Sequence, residues 1–153
     1  MIMLQRTPQW EEIVENQEIP ALIKKPTYMQ LFMFSAVTWN RHLIHYNPEY
    51  ARRDGLPDVA VHRALIGNFM AQMLTDWIGQ SGRVRKLEWN VRASTIPGNI
   101  VQCHGRVTKK LVEKGSRTLE CEVWVENERG ENIAPGTGQI VFFQCESNER
   151  LLR

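Results

Sequence analysis

Between residues 61 and 78 the apolar side chains fall at Leu65, Ile66, Phe69, Met70, Met73, Leu74, Trp77 and Ile78, a ladder that closes at Gly79. Only an α-helix turns that i, i+1, i+4, i+5 spacing into one continuous face. The segment therefore predicts the longest helix of the chain, with one broad side committed to a core. Ala64, Gly67, Ala71 and Thr75 run along its flank at helical spacing. Residues that small would let a sheet approach the helix axis closely, so a wrapped helix is expected.

Beyond Gly82 the period changes to two. Leu87, Trp89, Val91 and Ala93 alternate with Glu88, Asn90 and Arg92, and three further strand-like runs cover residues 100–111, 118–126 and 138–145. The breaks between them, Ile96-Pro97-Gly98-Asn99, Glu113-Lys114-Gly115-Ser116 and Asn127-Glu128-Arg129-Gly130, have turn composition. Together these runs predict an antiparallel meander. Upstream, Thr7-Pro8 followed by Trp10, Ile13 and Val14 fits an N-capped short amphipathic helix, and residues 20–26, bounded by prolines, fit a connection. Residues 28–39, a mostly apolar run through Met29-Gln30-Leu31-Phe32-Met33-Phe34, read as a strand. Asn47 as N-cap, Pro48 at N1 and Gly55 past the end bracket a short helix over residues 49–54. One strand before the long helix and four after it predict an α+β fold, a single domain over residues 1–153 in which a curved antiparallel sheet wraps the helix.

Composition narrows the function. The 153 residues are enough for one domain with a real core, and a net charge of +2 with no Lys/Arg run longer than a pair argues against a nucleic-acid partner. Cys103, Cys121 and Cys145 are odd in number and widely spaced among apolar residues, which predicts free thiols in a reducing compartment and no metal site. With neither a signal-like nor a membrane-length apolar run in view, a cytoplasmic location is the expectation.

The chemistry concentrates in one stretch. Residues 38–51 hold His42 and His45, His62 follows soon after, and only His104 lies elsewhere. Imidazole is the side chain whose unperturbed pKa, about 6.5, lets it take and return protons near neutrality. A histidine at the end of a strand is also often a hydrogen-bonded packing residue. Trp39, Trp77, Trp89 and the methionines of the long helix read as core.

In order of parts and in these residues, the chain resembles the MaoC-like, (R)-specific enoyl-CoA hydratase and dehydratase family of hotdog proteins, over nearly its whole length. That family's site motif runs Asp, any residue, Asn, Pro, any residue, His; the same register here reads Asn40, Arg41, His42, Leu43, Ile44, His45. The catalytic histidine falls on His45, while the aspartate is replaced by Asn40. The variant is similar to a branch that includes fungal mitochondrial type 2 hydroxyacyl-thioester dehydratases and mesaconyl-CoA-type hydratases, through Thr38, Trp39, Asn40, His42, Ile44, His45 and Tyr46. The family's His-Gly pair opening the central helix stands here as His62-Arg63, with the glycine lost, and its Pro-Gly turn as Pro97-Gly98.

The resemblance implies addition or removal of water at a 2-enoyl or 3-hydroxyacyl thioester, carried by coenzyme A or an acyl-carrier protein, with no metal or redox cofactor. His45 would be the general acid/base, and Asn40, which cannot titrate, would orient the water. His42, His62 and the amide of Arg63 would support the base or hold the thioester oxygen at the helix N-terminus. Arg85, Lys86 and Arg92, with Arg83 nearby, are candidates for the carrier phosphates, although such charges are usually a solvated face. A homodimer is expected, since one hotdog unit cannot close an acyl channel alone. Two other functions compete. A hotdog thioesterase would want a carboxylate on the central helix, where Asp76 near its far end is the only acid. A non-catalytic partner subunit of a heteromeric hydratase is suggested by the missing aspartate and glycine, and by Leu74-Thr75-Asp76-Trp77-Ile78-Gly79, which resembles small subunits of actinobacterial sterol side-chain hydratases.

Overall fold

The computed structural model describes residues 7–113 and 115–143. Its centre is α3, Arg63–Ile78, which starts from His62 and stops at Gly79, where φ is +52°. Leu65, Phe69, Met73 and Trp77 are between 2% and 7% exposed, as the apolar ladder requires. Full burial of a side chain of this size is worth about 1.5–3 kcal/mol, so this face anchors the domain.

Five antiparallel strands cover that face in the order β1-β3-β4-β5-β2. They are β1 Glu18–Lys24, β2 Gly82–Trp89, β3 Val101–Glu113, β4 Ser116–Glu126 and β5 Asn132–Phe142. Alternate residues of the central strands are buried: Val101, Cys103 and Val107, then Leu119, Cys121, Val123 and Val125, then Ile140 and Phe142. Glycines interrupt these rows where the helix comes closest, and a methyl added at Gly138 would lie 3.0 Å from Leu74 Cδ1. The small-residue flank is used only in part. Gly67 is buried beneath the indole of Trp89, whereas Ala64 and Thr75 are exposed.

Three parts of the sequence expectation are corrected. The strand before the helix is not residues 28–39 but β1, in the segment expected to be a connection. Pro20 obscured it: proline is confined to edge strands and irregularities, and β1 is an edge strand whose register slips between Ile19 and Leu22. Residues 28–39 instead form a helix, α1, Tyr28–Val37. A uniformly apolar run carries no period to choose between strand and helix; here Thr27 caps the first turn by accepting from the Gln30 N–H, 3.1 Å, and Met, Leu, Phe and Ala propagate it. The four later strands, finally, are not one meander. β3, β4 and β5 are, but β2 crosses over to pair with β5 at the far edge.

Smaller differences concern boundaries. The expected helix after Thr7 is a single 3-10 turn, Trp10–Glu12, while α2, Pro48–Arg53, has the expected Asn47 cap on Tyr50 N–H. β2 begins at Gly82, ahead of the alternating stretch, and β5 at Asn132. Trp77 is core, as expected, but Trp39 is 77% exposed. Cys103 and Cys121 are buried free thiols, both pushed up to about 12 by burial and so held protonated; Cys145 lies outside the described residues. No helix among the described residues is long and apolar enough to cross a membrane.

Candidate active site

The site forms where α1 ends and α3 begins. Thr38 closes α1, Trp39 takes φ +53°, and two backbone bonds, Trp39 N–H to Ala36 O and Asn40 N–H to Ser35 O, at 3.3 and 2.9 Å, complete a Schellman cap. This reversal sets Asn40 beside the last turn of α1. The Asn40 Oδ1 then accepts the His42 N–H at 3.1 Å, an Asx turn that starts the next segment.

That segment is a 3-10 turn, Leu43–His45, docked on the residues ahead of α3. Ala60 is held from both sides: its N–H donates to Ile44 O at 2.9 Å, and its carbonyl takes His45 Nδ1 at 2.7 Å. Because a carbonyl can only accept, Nδ1 of His45 must carry the hydrogen, which leaves the lone pair on Nε2. Partial burial lowers the pKa of His45 below the usual imidazole value, the bond to Ala60 opposes this, and a charge on His42 would add to the lowering. At neutral pH His45 is therefore a neutral imidazole with a free basic nitrogen.

His62 lies against it. The two rings are stacked, centroids 3.8 Å apart and planes 19° from parallel. His62 is 1% exposed; its Nε2 meets Ser35 Oγ at 2.8 Å, and its Nδ1 has no hydrogen-bond partner among the described residues. Burial, and then the proximity of His45, push its pKa down to about 4. His42 is exposed, its ring 6.0 Å from His45 and edge-on to Tyr50 of α2 at 6.3 Å.

The start of α3 is pinned to the sheet by a reciprocal pair. Arg63 Nη2 donates to Trp89 O at 2.9 Å, and Trp89 Nε1 donates to Arg63 O at 3.0 Å. The guanidinium is thus committed to the end of β2, while the first-turn N–H groups of α3 remain as donors of the positive end of the helix dipole. Next to Asn40 opens a recess of about 230 Å³, walled by Phe32, Ala36, Trp39 and Tyr46, with Ser35 and Asn40 in its lining. It is largely apolar.

Asn40, His42, His45, His62 and Arg63 are thus brought together. Arg85 and Lys86 are not among them: both are exposed on β2, where Lys86 pairs with Glu88 at 2.7 Å and Arg85 borders a surface groove with Glu113 and Thr118. Arg92 is nearer the site, on the irregular segment that hydrogen-bonds to Ile133 O and, through Thr95 O, to Val61 N–H. The fourth histidine, His104, stacks on Trp124 within the sheet, away from the other three. Ser35 is the residue that sequence reasoning passed over. It is the one hydroxyl between Met29 and Val37, a signal that gains meaning only once that run is known to be a helix.

A long helix wrapped by an antiparallel sheet, with histidines gathered at the helix mouth, defines a MaoC-like hotdog protein. The profile of the family described as hydroxyacyl-thioester dehydratase type 2 matches residues 5–97, more than half of the chain, and the chain belongs to that family. Among solved structures it is similar to the (R)-hydratase PhaJ1 of Pseudomonas aeruginosa, 19% identical, TM-score 0.78, over 87% of this chain and 84% of that one. It is also similar to the (R)-hydratase of A. caviae involved in PHA biosynthesis, 14% identical, TM-score 0.78, over 87% and 99%. A third likeness is to the ChsH1–ChsH2 complex of Mycobacterium tuberculosis, 18% identical, TM-score 0.74, over 85% of this chain and 98% of the matched one. At these identities the likeness is one of fold. No curated protein matches the sequence.

Proposed function

We infer that the chain is an (R)-specific hydratase or dehydratase acting at the 2,3-position of an acyl-CoA or acyl-carrier-protein thioester. The observation that carries this reading is the His45–Ala60 bond, which fixes the tautomer of a half-buried, uncharged imidazole beside the open N-terminus of α3. In hydration, His45 Nε2 takes a proton from water as its oxygen adds to C3 of the enoyl thioester. The electron pair of the double bond moves toward the thioester carbonyl, and the same nitrogen returns the proton to C2. The charge that gathers on the thioester oxygen is met by the first-turn amides of α3, that of Arg63 foremost. Asn40 holds the water through its amide group and the remaining lone pair of Oδ1, while His42 and His62 support the base. The apolar recess takes the acyl chain, and Arg92, with Arg85 and Lys86 further along β2, meets the carrier phosphates.

Assembly follows from the exposed apolar side chains of α1. Met29, Phe32, Met33 and Val37, with Trp39, are more than half exposed, an unusual cluster for a surface helix. A second hotdog unit covers it, and a homodimer joined sheet to sheet across free edge strands is the simplest such assembly. The partner-subunit alternative rests on the substitutions at Asn40 and Arg63 and on the fold likeness to a protein of the ChsH1–ChsH2 complex. A thioesterase is less favoured, because Asp76 is exposed near the far end of α3 and accepts from Gln72 at 3.2 Å.

The test is to purify the chain alone and follow loss of the enoyl-thioester absorbance across 2-enoyl-CoAs of increasing length. Turnover by the isolated chain is expected. Inertness that is relieved only by a second hotdog protein would replace this reading with the partner-subunit one.

A further inference from the structure

Nothing in the proposed reaction requires Ser35, and His62 is more buried than a support for an active-site base needs to be. His62 is closed in by an edge-on contact from Phe34 at 4.9 Å, by Ser35 at 2.8 Å and by the stacked His45, and it opens α3 without capping it. A buried imidazole that neither caps its helix nor pairs with a carboxylate is costly to keep, which points to a role in the site it adjoins.

We propose that Ser35 and His62 form a two-residue clamp on His45: the Ser35 hydroxyl fixes the His62 ring, and that ring, lying flat on His45, sets the plane of the base and keeps its inner face dry. His62 and Ser35 are positioning residues in this scheme, since neither need touch the substrate. The clamp rests on the reading of His45 as the acid/base, and it adds how that base is aimed and kept uncharged. Three structural segments build it. α1 supplies Ser35, the start of α3 supplies His62, and the 3-10 turn supplies His45, so movement of α1 relative to α3 would be felt at the base.

Among the described residues, the groups facing this pair are few. His42, at the start of the same 3-10 turn, bears on His45, and Tyr50 of α2 touches only the His42 ring. Against His62 the one charge that matters is His45 itself. Displacement of the His45 titration therefore reports chiefly on how dry the stack is, which the clamp controls.

The test is an NMR titration of the His45 imidazole in the native chain and in His62→Phe, His62→Ala and Ser35→Ala, paired with kcat and KM on an enoyl-CoA. The clamp predicts a depressed His45 pKa in the native chain and only a small rise in His62→Phe, whose ring keeps the stack but cannot take the Ser35 bond. It predicts a rise toward 6.5 in His62→Ala, and a smaller rise in Ser35→Ala, which also covers the case of His62→Ala failing to fold. His62→Ala should lose up to about a hundredfold in kcat with KM held, the size of a misaimed group. An identical His45 titration in all four proteins would overturn the clamp. So would His62→Phe as inactive as His45→Ala, since His62 would then act on the reacting atoms. The titration needs no turnover: a native chain inert on every thioester, but with the predicted pKa pattern, supports the clamp and sinks the hydratase reading.

Discussion

His45 and His62 lie ring on ring, 3.8 Å between centroids, and the two differ in what holds them: a backbone carbonyl for His45, a serine hydroxyl for His62. Two imidazoles that close cannot both carry a proton without strong repulsion. Burial already favours the neutral form of each, so the site is built to be uncharged at neutral pH.

A pH dependence of stability follows. Both histidines have folded pKa values below 6.5, so the unfolded chain binds more protons as the pH falls through that value. The stabilisation is fully present above pH 6.5 and is lost as the pH falls toward about 4, where His62 titrates in the folded chain. At 1.36 kcal/mol per unit, His62 alone accounts for up to about 3 kcal/mol. Urea unfolding at a series of pH values should show this loss in the native chain and a much flatter dependence in His62→Phe.

The contact between Gly67 and Trp89 sets how closely β2 approaches α3. A Cβ on residue 67 would fall inside the indole, so Gly67→Ala must displace Trp89 or the strand. Overpacking of this kind costs about 1–3 kcal/mol. Because Trp89 also bonds to Arg63 O, the variant should lose activity beyond its loss of stability. Denaturant midpoints and kcat measured on the same preparation would check both effects.

Trp39 is the reverse case. A bulky residue holds a left-handed conformation, φ +53°, at a helix stop where glycine is usual, while its ring is largely in solvent. That conformation costs roughly 1–2 kcal/mol in a residue with a Cβ, so Trp39→Gly should raise the melting temperature of the isolated chain. Because Trp39 walls the recess proposed for the acyl chain, the same variant should raise KM for longer enoyl chains more than for crotonyl-CoA.

How much of this was legible depended on period. The α3 ladder and the turn-bounded runs at 100–111 and 118–126 are clear in the sequence, and they carry the helix, the central strands and the fold. α1 had no period to read, because polar residues are nearly absent from both faces, and β1 was hidden by Pro20. β2 was found but misplaced in the sheet, since a local pattern states which residues form a strand and not which strand it joins. In the site, the two sequence motifs single out Asn40, His42, His45 and His62, and the structure places His45 against His62 with His42 beside it. The motifs could not reveal the Ser35–His62 bond, which spans 27 residues and exists only because α1 is a helix.

Asn40 offers a discriminating substitution. Its Oδ1 already accepts the His42 N–H, and a carboxylate would accept that bond at least as well. Asn40→Asp should therefore keep the turn intact and retain or raise the hydration rate, whereas Asn40→Ala should lose both the Asx turn and part of the rate. Parallel kcat/KM values for the two variants, with circular dichroism to confirm folding, would decide whether residue 40 works on the water.

The proposed reaction depends on His45 as the acid/base, and the most direct measurement is the hydration of crotonyl-CoA, or a longer enoyl-CoA if the native chain prefers one, by the native chain and by His45→Ala. Positioned acid/base groups contribute about a hundred- to ten-thousand-fold. A folded His45→Ala that is slower by at least about a hundredfold is the predicted result; a folded His45→Ala that hydrates the substrate as fast as the native chain would contradict it.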